Sequence, residues 1–367
     1  MKANTPNTPN TKDMIKTAAM TLVFVIALHM SADMMDKSSA AIPDCVGYIS
    51  GGYGKMTFSE ISEVQKNESC PGDIKINAQS ISPGYASSER GIFANVEIVA
   101  TDENYTEFHS IDITKGAFGG TGALISENLA NTLFMSIDIV GAAFYLFDSE
   151  IAVAGVYRPD SSFLAEISSD GKECVIVPHA LNPTQNDTVG LLYIKSKTGG
   201  GPGAFDEMEL NRLLGGKLDN YTKTDLSEHK KVISQFKAIM FFLVGAAFFA
   251  AMLGGFLKLV FALANKGDAK NTVFYVKLAA LGAALIALPL VVSFELYIPA
   301  GFFPADKNIL SLAHYIDLFV GFVRRQNTGA YYFYGSLYFW SVLCILPLST
   351  ANVLMAAKVA LKCGDFV

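Results

Sequence analysis

The chain has 367 residues, of which 51% are hydrophobic and 17% charged, with a formal net charge of -6 and a mean hydropathy of +0.33. It is too apolar for an ordinary soluble protein and too polar for one made only of membrane spans, so we expect both parts in one chain. Residues 33–235 hold 28 acidic and 15 basic side chains, whereas the remainder holds 6 and 13. An acidic soluble block excludes a nucleic-acid partner, because phosphate binding requires a basic surface.

The N-terminal region combines a polar tail with an apolar segment. Residues 1–16 are rich in Pro and Asn and predict a cytoplasmic tail, and residues 17–35 predict a first transmembrane helix. Its uncharged stretch is short for a span, and snorkelling of Lys16 would extend it. A cleavable signal peptide ending near the SSA sequence at 38–40 is the alternative. We favour a retained span, since it gives an even number of spans and places both termini on the basic side.

Residues 36–235 form the soluble block. Short apolar or alternating runs separated by turn residues indicate strands mixed with helices, which predicts an α+β domain. Strands are predicted at 46–49, 73–78, 92–100, 123–126, 144–146, 151–157, 174–178 and 189–195, and helices at 57–65, 103–111, 128–134 and 205–214.

Three further spans are predicted after this block. Residues 238–257 carry no charge over twenty positions, so a span is predicted at 236–264, in a helix that begins outside the lipid near Leu226. A cytoplasmic loop at 265–272 and a third span at 273–298 follow. Residues 299–327 predict an external loop with an interfacial helix. The fourth span, 328–357, opens with an aromatic belt at residues 331–334 and precedes a cytoplasmic tail at 358–367.

Lysines in the short flanking segments set the orientation. With four spans, Lys16, Lys266, Lys270, Lys358 and Lys362 all fall on one side of the membrane. The excess of positive charge marks this side as cytoplasmic. The sequence therefore predicts a multi-pass protein of the plasma membrane, in contact with lipid, with its large domain outside the cytoplasm.

One stretch of the soluble block resembles a known family. Residues 92–157 contain IFANVEIVATDENYTEF, ITKGAF, ALISENLANTLF and IVGAAFYLFDSEIAVAGVY. This order of strands, helices and glycine turns is similar to the periplasmic core domain of MacB-like and FtsX-like permeases of ABC transporters. The span order, with one span before the external domain and three after it, is also similar. The matching positions are Gly116, Ser126, Glu127, Leu129, Ala130, Leu133, Phe134, Val140, Gly141, Val153, Gly155 and Val156.

The resemblance implies a fold and a function. The fold is an α-helical membrane protein with four transmembrane helices and an α+β extracytoplasmic domain of two lobes, the distal one at about 105–160. The function is that of a permease subunit that transmits ATP-driven conformational change from a separate cytoplasmic ABC ATPase, for export, extraction or mechanotransmission. A homodimer, or a heterodimer with a related permease, is also implied. The alternative is a membrane-anchored binding or structural protein that has no ATPase partner.

The cytoplasmic loop departs from the family pattern. Family members usually carry an Arg-Glu-Ile-Gly-like motif where the ATPase docks, whereas this chain reads LANKGDAKNT at 263–272. The family motif is usually followed by Ala-Leu-Gly-Ala, and of this pattern only LGA at 281–283 is recognisable here. The candidate ATPase-coupling residues are therefore Lys266, Asp268 and Lys270.

Small residues recur at helical spacing in the second span. Gly245, Ala246, Gly254 and Gly255 would let another helix approach closely. They form a candidate helix-packing or dimer face, and packing within the chain is the alternative use.

No catalytic or metal-binding pattern is visible in the sequence. The five histidines are scattered, the five cysteines lack metal-ligand spacing, and no G-x4-G-K-[ST] phosphate loop occurs. We therefore expect no enzymatic activity, no metal and no cofactor, with ATP bound only by a partner subunit. If the soluble block is extracellular, Cys45 and Cys70 could form a disulfide, with buried free thiols as the alternative.

Overall fold

The computed structural model describes residues 11–364, apart from 53, 69, 161, 169–171, 185, 198–200 and 265–332. The helices are α1 Thr11–Ala41, α2 Phe58–Lys66, α3 Tyr105–Phe108, α4 Glu127–Phe134, α5 Phe163–Ser168, α6 Ala204–Leu213, α7 Leu226–Ala264 and α8 Phe333–Gly364. The strands are β1 Val46–Ser50, β2 Ile74–Ser87, β3 Phe93–Thr101, β4 Asp112–Gly116, β5 Gly122–Ser126, β6 Ala143–Leu146, β7 Ser149–Arg158, β8 Glu173–Pro178, β9 Leu191–Ser196 and β10 Tyr221–Asp225.

The chain divides into two compact units. One, which we call the sheet unit, comprises Ser38–Lys230 and Phe303–Trp340. The other, the helical unit, comprises Met1–Lys37, Lys231–Phe302 and Ser341–Val367. This division follows the change in composition that the sequence shows between its acidic block and its apolar segments.

The sheet unit is an α+β domain, as predicted. Its strands form one sheet in the order β10-β1-β9-β2-β3-β8-β5-β7-β4, with β6 pairing to β2 and β7. The pairs β3/β8 and β5/β7 are parallel, and the other pairs are antiparallel. The eight predicted strands are all present, and β4 and β10 were not predicted.

Separate apolar clusters stabilise different parts of this sheet. One packs α4 against β3, β5, β7 and β8, with Leu129, Leu133 and Phe144 fully buried. A second packs α2 and α6 against β1, β2 and β9. The first cluster includes residues of β2, β3 and β8 as well as residues from the predicted distal segment 105–160. Because the strands of both clusters belong to one sheet, the clusters do not by themselves define two lobes. The two-lobed layout therefore stays a prediction.

Local signals in the family-like stretch act as expected. The Ser126 hydroxyl accepts a 3.0 Å hydrogen bond from the Leu129 amide and caps α4, whose first turn also carries Glu127. Gly116 has φ +69°, and a Cβ there would lie 2.1 Å from the Ala154 carbonyl oxygen. A glycine is therefore required at this bend, where β4 pairs with β7.

Two predicted elements have different lengths in the structure. The helix predicted at 103–111 is wrong in extent, since α3 ends at Phe108 and His109 is extended, with φ -111° and ψ 123°. The chain must leave the helix there because β4 begins at Asp112. The strand predicted at 73–78 continues to Ser87, where it pairs with β3.

Three helices of the described chain are long and apolar enough to cross a membrane. These segments are Ile15–Ala41, Leu226–Ala250 and Tyr334–Val359. In the helical unit they share a small core formed by Phe24, Val244, Ala356 and Val359. Most other apolar side chains in these segments are at least partly exposed, as expected of helices in lipid. The predicted third span, 273–298, and the loops at 265–272 and 299–327 lie outside the described residues.

Candidate functional site

Among the described residues that the sequence predicts as functional, Cys45 and Cys70 lie in the sheet unit and the small residues lie in the helical unit. Lys266, Asp268 and Lys270, the candidate coupling residues, lie outside the described residues and remain predictions. The small residues lie on α7. A Cβ added to Gly245 or Gly254 would meet no described atom within 4 Å, so this part of α7 leaves room for close approach of another helix.

Cys45 and Cys70 are free cysteines in the structure, so the suggested disulfide is not formed. Cys45 is fully buried beside the start of β1, and burial raises the pKa of its thiol to about 12. Cys70 is half-buried against the cluster under α2 and α6, and burial raises its pKa as well. Each thiol is held as a small apolar group by its own surroundings, which is the alternative that the sequence left open.

The first functional feature of the structure is the direct passage from the sheet into α7. β10 ends at Asp225 and α7 begins at Leu226, with no loop between them. Leu226 is fully buried, and its amide donates a 3.0 Å hydrogen bond to the Cys45 carbonyl oxygen. The Asp225 carboxylate accepts a 3.1 Å hydrogen bond from the Glu228 amide and caps the helix. The start of α7 is thus fixed to β1 and β10, which pair along their full lengths.

The start of α8 is also held within the sheet unit. Tyr334 is 7% exposed, and its ring lies parallel to the imidazole of His109 at a centroid distance of 5.5 Å. The ring of Tyr193 on β9 meets it edge-on at 6.1 Å. One turn later, Tyr338 stacks on His229 of α7 at 3.9 Å. These rings join the first turns of α7 and α8 to each other and to the sheet.

The sequence did not predict this second attachment. Tyr334 was assigned to an aromatic belt at the membrane interface, and the structure buries it in the sheet unit instead. His109 was interpreted as one of several scattered histidines. The two residues are 225 positions apart, and no local pattern marks them as partners. Unusually many aromatic residues at 331–334 were the one signal in the sequence.

A buried polar network lies next to Tyr334. Asn77, Gln79 and Thr101 are each 3% exposed or less, and they occupy β2 and the end of β3. Asn77 donates to the Thr101 hydroxyl at 2.9 Å and to the Asp102 carboxylate at 2.6 Å. The same carboxylate accepts the Ala78 amide at 2.8 Å. Burial raises the pKa of Asp102, and these hydrogen bonds act in the opposite direction.

His109 is the titratable group at the other end of this network. It is 7% exposed, and burial lowers its pKa to about 3, with a smaller contribution from the positive charge of Lys195. The imidazole is therefore neutral at physiological pH. A neutral ring has one donor and one acceptor nitrogen. If one nitrogen accepts a hydrogen bond, the other must therefore donate one.

In the helical unit, one polar contact joins all three helices. Asn352 of α8 is 1% exposed and donates a 2.8 Å hydrogen bond to the hydroxyl of Ser31 on α1. Its amide nitrogen also lies 3.6 Å from the sulfur of Met240 on α7. Near the same ends of α1 and α7, Lys237 pairs with both carboxylate oxygens of Asp36 at 2.8 and 2.6 Å. A buried polar contact such as that between Asn352 and Ser31 orients helices in lipid, where water cannot replace it.

The sheet unit also contains a cleft of about 570 Å³ along α2. Its walls include Ser59 and Ser62 of α2, the turn at Asp102 and the loop at Gly119 and Gly120. Among the described residues, no group of three or more His, Cys, Asp or Glu side chains could hold a metal ion. Within the sheet unit, the starts of α7 and α8 are buried and hydrogen-bonded.

Comparison with known proteins identifies this architecture. The sequence profile of the MacB-like periplasmic core domain matches residues 14–207, more than half of the chain. The chain belongs to this family. The matched range begins within α1 and contains the whole stretch 92–157 that carries the sequence resemblance, so the predicted likeness to a MacB-like permease is confirmed. The protein is a membrane protein with an extracytoplasmic domain, which is the sheet unit.

Solved structures of similar domains are known. The periplasmic region of MacB from Actinobacillus actinomycetemcomitans is 13% identical, with a TM-score of 0.42, covering 55% of this chain and 98% of that one. The extracellular domain of the ABC-type transporter YknZ from Gram-positive bacteria is 14% identical, with a TM-score of 0.37, covering 49% of this chain and 98% of that one. Among curated proteins, none matches the chain.

Proposed function

We propose that this chain is the permease subunit of an ABC-type transporter and transmits ATP-driven conformational change from a separate ATPase to its extracytoplasmic domain. The observation that carries the proposal is the unbroken passage from β10 into α7. A family member with such a connection can pass a displacement of the helix directly to two paired strands. Export, extraction of a molecule from the membrane and mechanical control of an outside partner all fit this action.

The length and regularity of α7 support a role as a lever. It contains 39 residues, so it is about 58 Å long at 1.5 Å rise per residue, which exceeds the thickness of a bilayer. It contains no proline, and Gly254 and Gly255 are its one pair of adjacent glycines. A helix without a break moves as one body, so the cytoplasmic end and the β10 end would shift together.

The proposed arrangement in the membrane has four spans with both termini in the cytoplasm of the cell. Three of these spans lie in α1, α7 and α8, and the remaining one, third in chain order, is the predicted helix at 273–298. In this arrangement the loop after α7 faces the cytoplasm, and Lys266, Asp268 and Lys270 form the docking site for the ATPase. The small residues Gly245 and Gly254 would face a second permease subunit. The chain itself neither binds nor hydrolyses ATP, because it contains no phosphate loop.

A second candidate function is a membrane-anchored binding or structural protein without an ATPase. The departure of the loop sequence LANKGDAKNT from the family's docking motif favours it. In this case the polar contact between Asn352 and Ser31 would hold the helices as a rigid anchor, and no movement would pass to the sheet.

The two candidates are separated by reconstitution with an ABC ATPase from the same cell. The full chain in lipid nanodiscs should bind that ATPase and change its rate of ATP hydrolysis. Replacing Lys266 and Lys270 with Glu should abolish both effects. Replacing Lys358 and Lys362 with Glu is the matched control, since it makes the same change of charge in the predicted cytoplasmic tail. If the loop variant behaves like the unmodified chain, the loop is not the docking site, and absence of binding by the unmodified chain favours the anchor.

A further inference from the structure

A single buried imidazole in the sheet unit is hydrogen-bonded on both of its nitrogens. The Nε2 atom of His109 lies 2.5 Å from the side-chain nitrogen of Gln79, and its Nδ1 atom is bonded to the hydroxyl of Tyr334. Gln79 is on β2, and Tyr334 is in the first turn of α8. His109 thus bridges the middle of the sheet and the beginning of an apolar helix.

The direction of each hydrogen bond can be derived from Asp102. Its carboxylate accepts hydrogen bonds from two backbone amides, at Ala78 and Asn104, and from the side-chain nitrogen of Asn77. The side-chain oxygen of Asn77 must then point the other way, where it accepts a 2.7 Å hydrogen bond from Gln79. The nitrogen of Gln79 is thereby placed between Asn77 and His109, and an amide nitrogen can only donate.

The tautomer of His109 follows from this order. Because Gln79 donates to Nε2, that nitrogen must be the acceptor, and the proton of the neutral ring is on Nδ1. Nδ1 therefore donates to the hydroxyl oxygen of Tyr334. Four side chains in series, from Asp102 through Asn77 and Gln79 to His109, fix the position at which the Tyr334 oxygen must lie. We call this series, with Tyr334, the polar joint.

We propose that His109 and Tyr334 are positioning residues, and that the polar joint fixes the start of α8 to the extracytoplasmic sheet. This inference rests on the proposed function and extends it, because α8 would be a second helix through which movement reaches the sheet. All five residues of the joint belong to the same compact unit. The ring of Tyr334 is held separately by stacking on His109 and by edge contact with Tyr193, so its hydroxyl can be removed without removing the packing.

The hydrogen bond and the packing make opposite predictions for substitutions at His109. Asn places its amide nitrogen where Nδ1 lies, and so His109→Asn retains a donor for Tyr334 although the side chain is smaller. Leu fills the space better but has no donor. If the joint acts through the hydrogen bond, Asn should substitute better than Leu. A purely space-filling role would give the reverse order.

The first measurement is hydrogen exchange of the full chain in lipid nanodiscs, followed at the amides of residues 337–341 in the second turn of α8. Tyr334→Phe leaves a buried N–H of His109 without its acceptor, and exchange should be about tenfold faster. His109→Leu should behave in the same way, and His109→Asn should stay close to the unmodified chain. Tyr85→Phe, at a partly exposed tyrosine that contacts Phe93 and Phe147, is the control and should have no effect.

The second measurement is the nitrogen NMR spectrum of histidine-labelled protein, with the His109 signal assigned by the His109→Asn variant. The joint requires the tautomer with hydrogen on Nδ1, and Gln79→Glu should change it because a carboxylate accepts where the amide donates. Hydrogen on Nε2, or equal exchange in Tyr334→Phe and the unmodified chain, would overturn the proposal. Neither measurement involves an ATPase. The proposal of the polar joint can therefore be disproved while the proposed transporter function stands, and the proposed function can be disproved while the polar joint stands.

Discussion

The amide nitrogen of Leu226 lies 3.0 Å from the carbonyl oxygen of Cys45 and donates a hydrogen bond to it. Leu226 is the first residue of α7, and Cys45 immediately precedes β1. This contact therefore joins the first residue of a long apolar helix to the sheet. Both side chains are fully buried. A movement of the helix start would therefore have to move β1 and β10 with it, or else break buried contacts.

The cap of α7 should contribute measurably to the stability of this connection. Replacing Asp225 with Ala removes the acceptor of the Glu228 amide, and we expect a loss of about 1 kcal/mol in the free energy of unfolding. Replacing Asp225 with Asn preserves an acceptor and should change the stability by only a few tenths of that amount. Denaturant titration of both variants in nanodiscs tests this, and equal stability of the two would exclude a capping role.

The buried imidazole should make stability depend on pH in the acidic range. The pKa of His109 is lowered to about 3 in the folded protein, whereas an unfolded histidine titrates near 6.5. Between these values the unfolded chain binds the additional proton, so stability falls as the pH is lowered through this range, by up to about 1.4 kcal/mol per pH unit.

A comparison with His109→Asn isolates this effect, because all other titratable groups are common to both proteins. Unfolding free energies measured between pH 6.5 and pH 5 should decrease more steeply for the unmodified chain than for the variant. Parallel pH profiles would mean that His109 is accessible to protons in the folded state.

The thiols of the sheet unit should react very slowly. The pKa of Cys45 is about 12, so only about one molecule in ten thousand carries the thiolate at pH 8, and the side chain is fully buried. Iodoacetamide should modify Cys70 before Cys45 in the folded protein, and both at similar rates after denaturation. Mass spectrometry of peptides without reduction provides the check, and a Cys45–Cys70 linked peptide would contradict the structure.

The polar contact in the helical unit should stabilise helix association. Replacing Ser31 with Ala removes the acceptor of the buried Asn352 amide, and we expect a loss of about 1 kcal/mol in lipid. Thr350→Ala is the matched control, because its hydroxyl is exposed and bonds to a carbonyl of its own helix, at Leu346. Unfolding in mixed detergent micelles would compare the two, and equal losses would show that Asn352 does not join the helices.

The sequence predicted those elements whose signals are local. Ser126 and Glu127 mark the start of α4, Gly116 marks a bend that only glycine fits, and the uncharged run at 238–257 marks the span in α7. In each case, the signal is carried by residues of the element itself.

The elements that were missed depend on distant partners. β10 reads YTKTD, in which only Tyr221 is fully buried, and it is a strand because it pairs with β1, about 175 positions earlier. Tyr334 is buried because its ring and hydroxyl contact His109, which lies 225 positions earlier in the chain. Polar and aromatic side chains of this kind have no periodic pattern, so sequence reasoning placed them in loops or at the lipid interface.

If α7 acts as a lever, ATP hydrolysis by a partner moves the extracytoplasmic sheet through this helix. The most direct test is hydrogen exchange of residues 221–230, at the junction of β10 and α7, in the full chain reconstituted with its ATPase. We expect exchange at this junction to change when ATP is turned over, and not with a non-hydrolysable analogue. Inserting two prolines near Phe248 should abolish the change while ATP hydrolysis continues, because the helix is then broken in the membrane. Identical exchange with and without ATP turnover in the unmodified complex would show that α7 does not carry movement to the sheet.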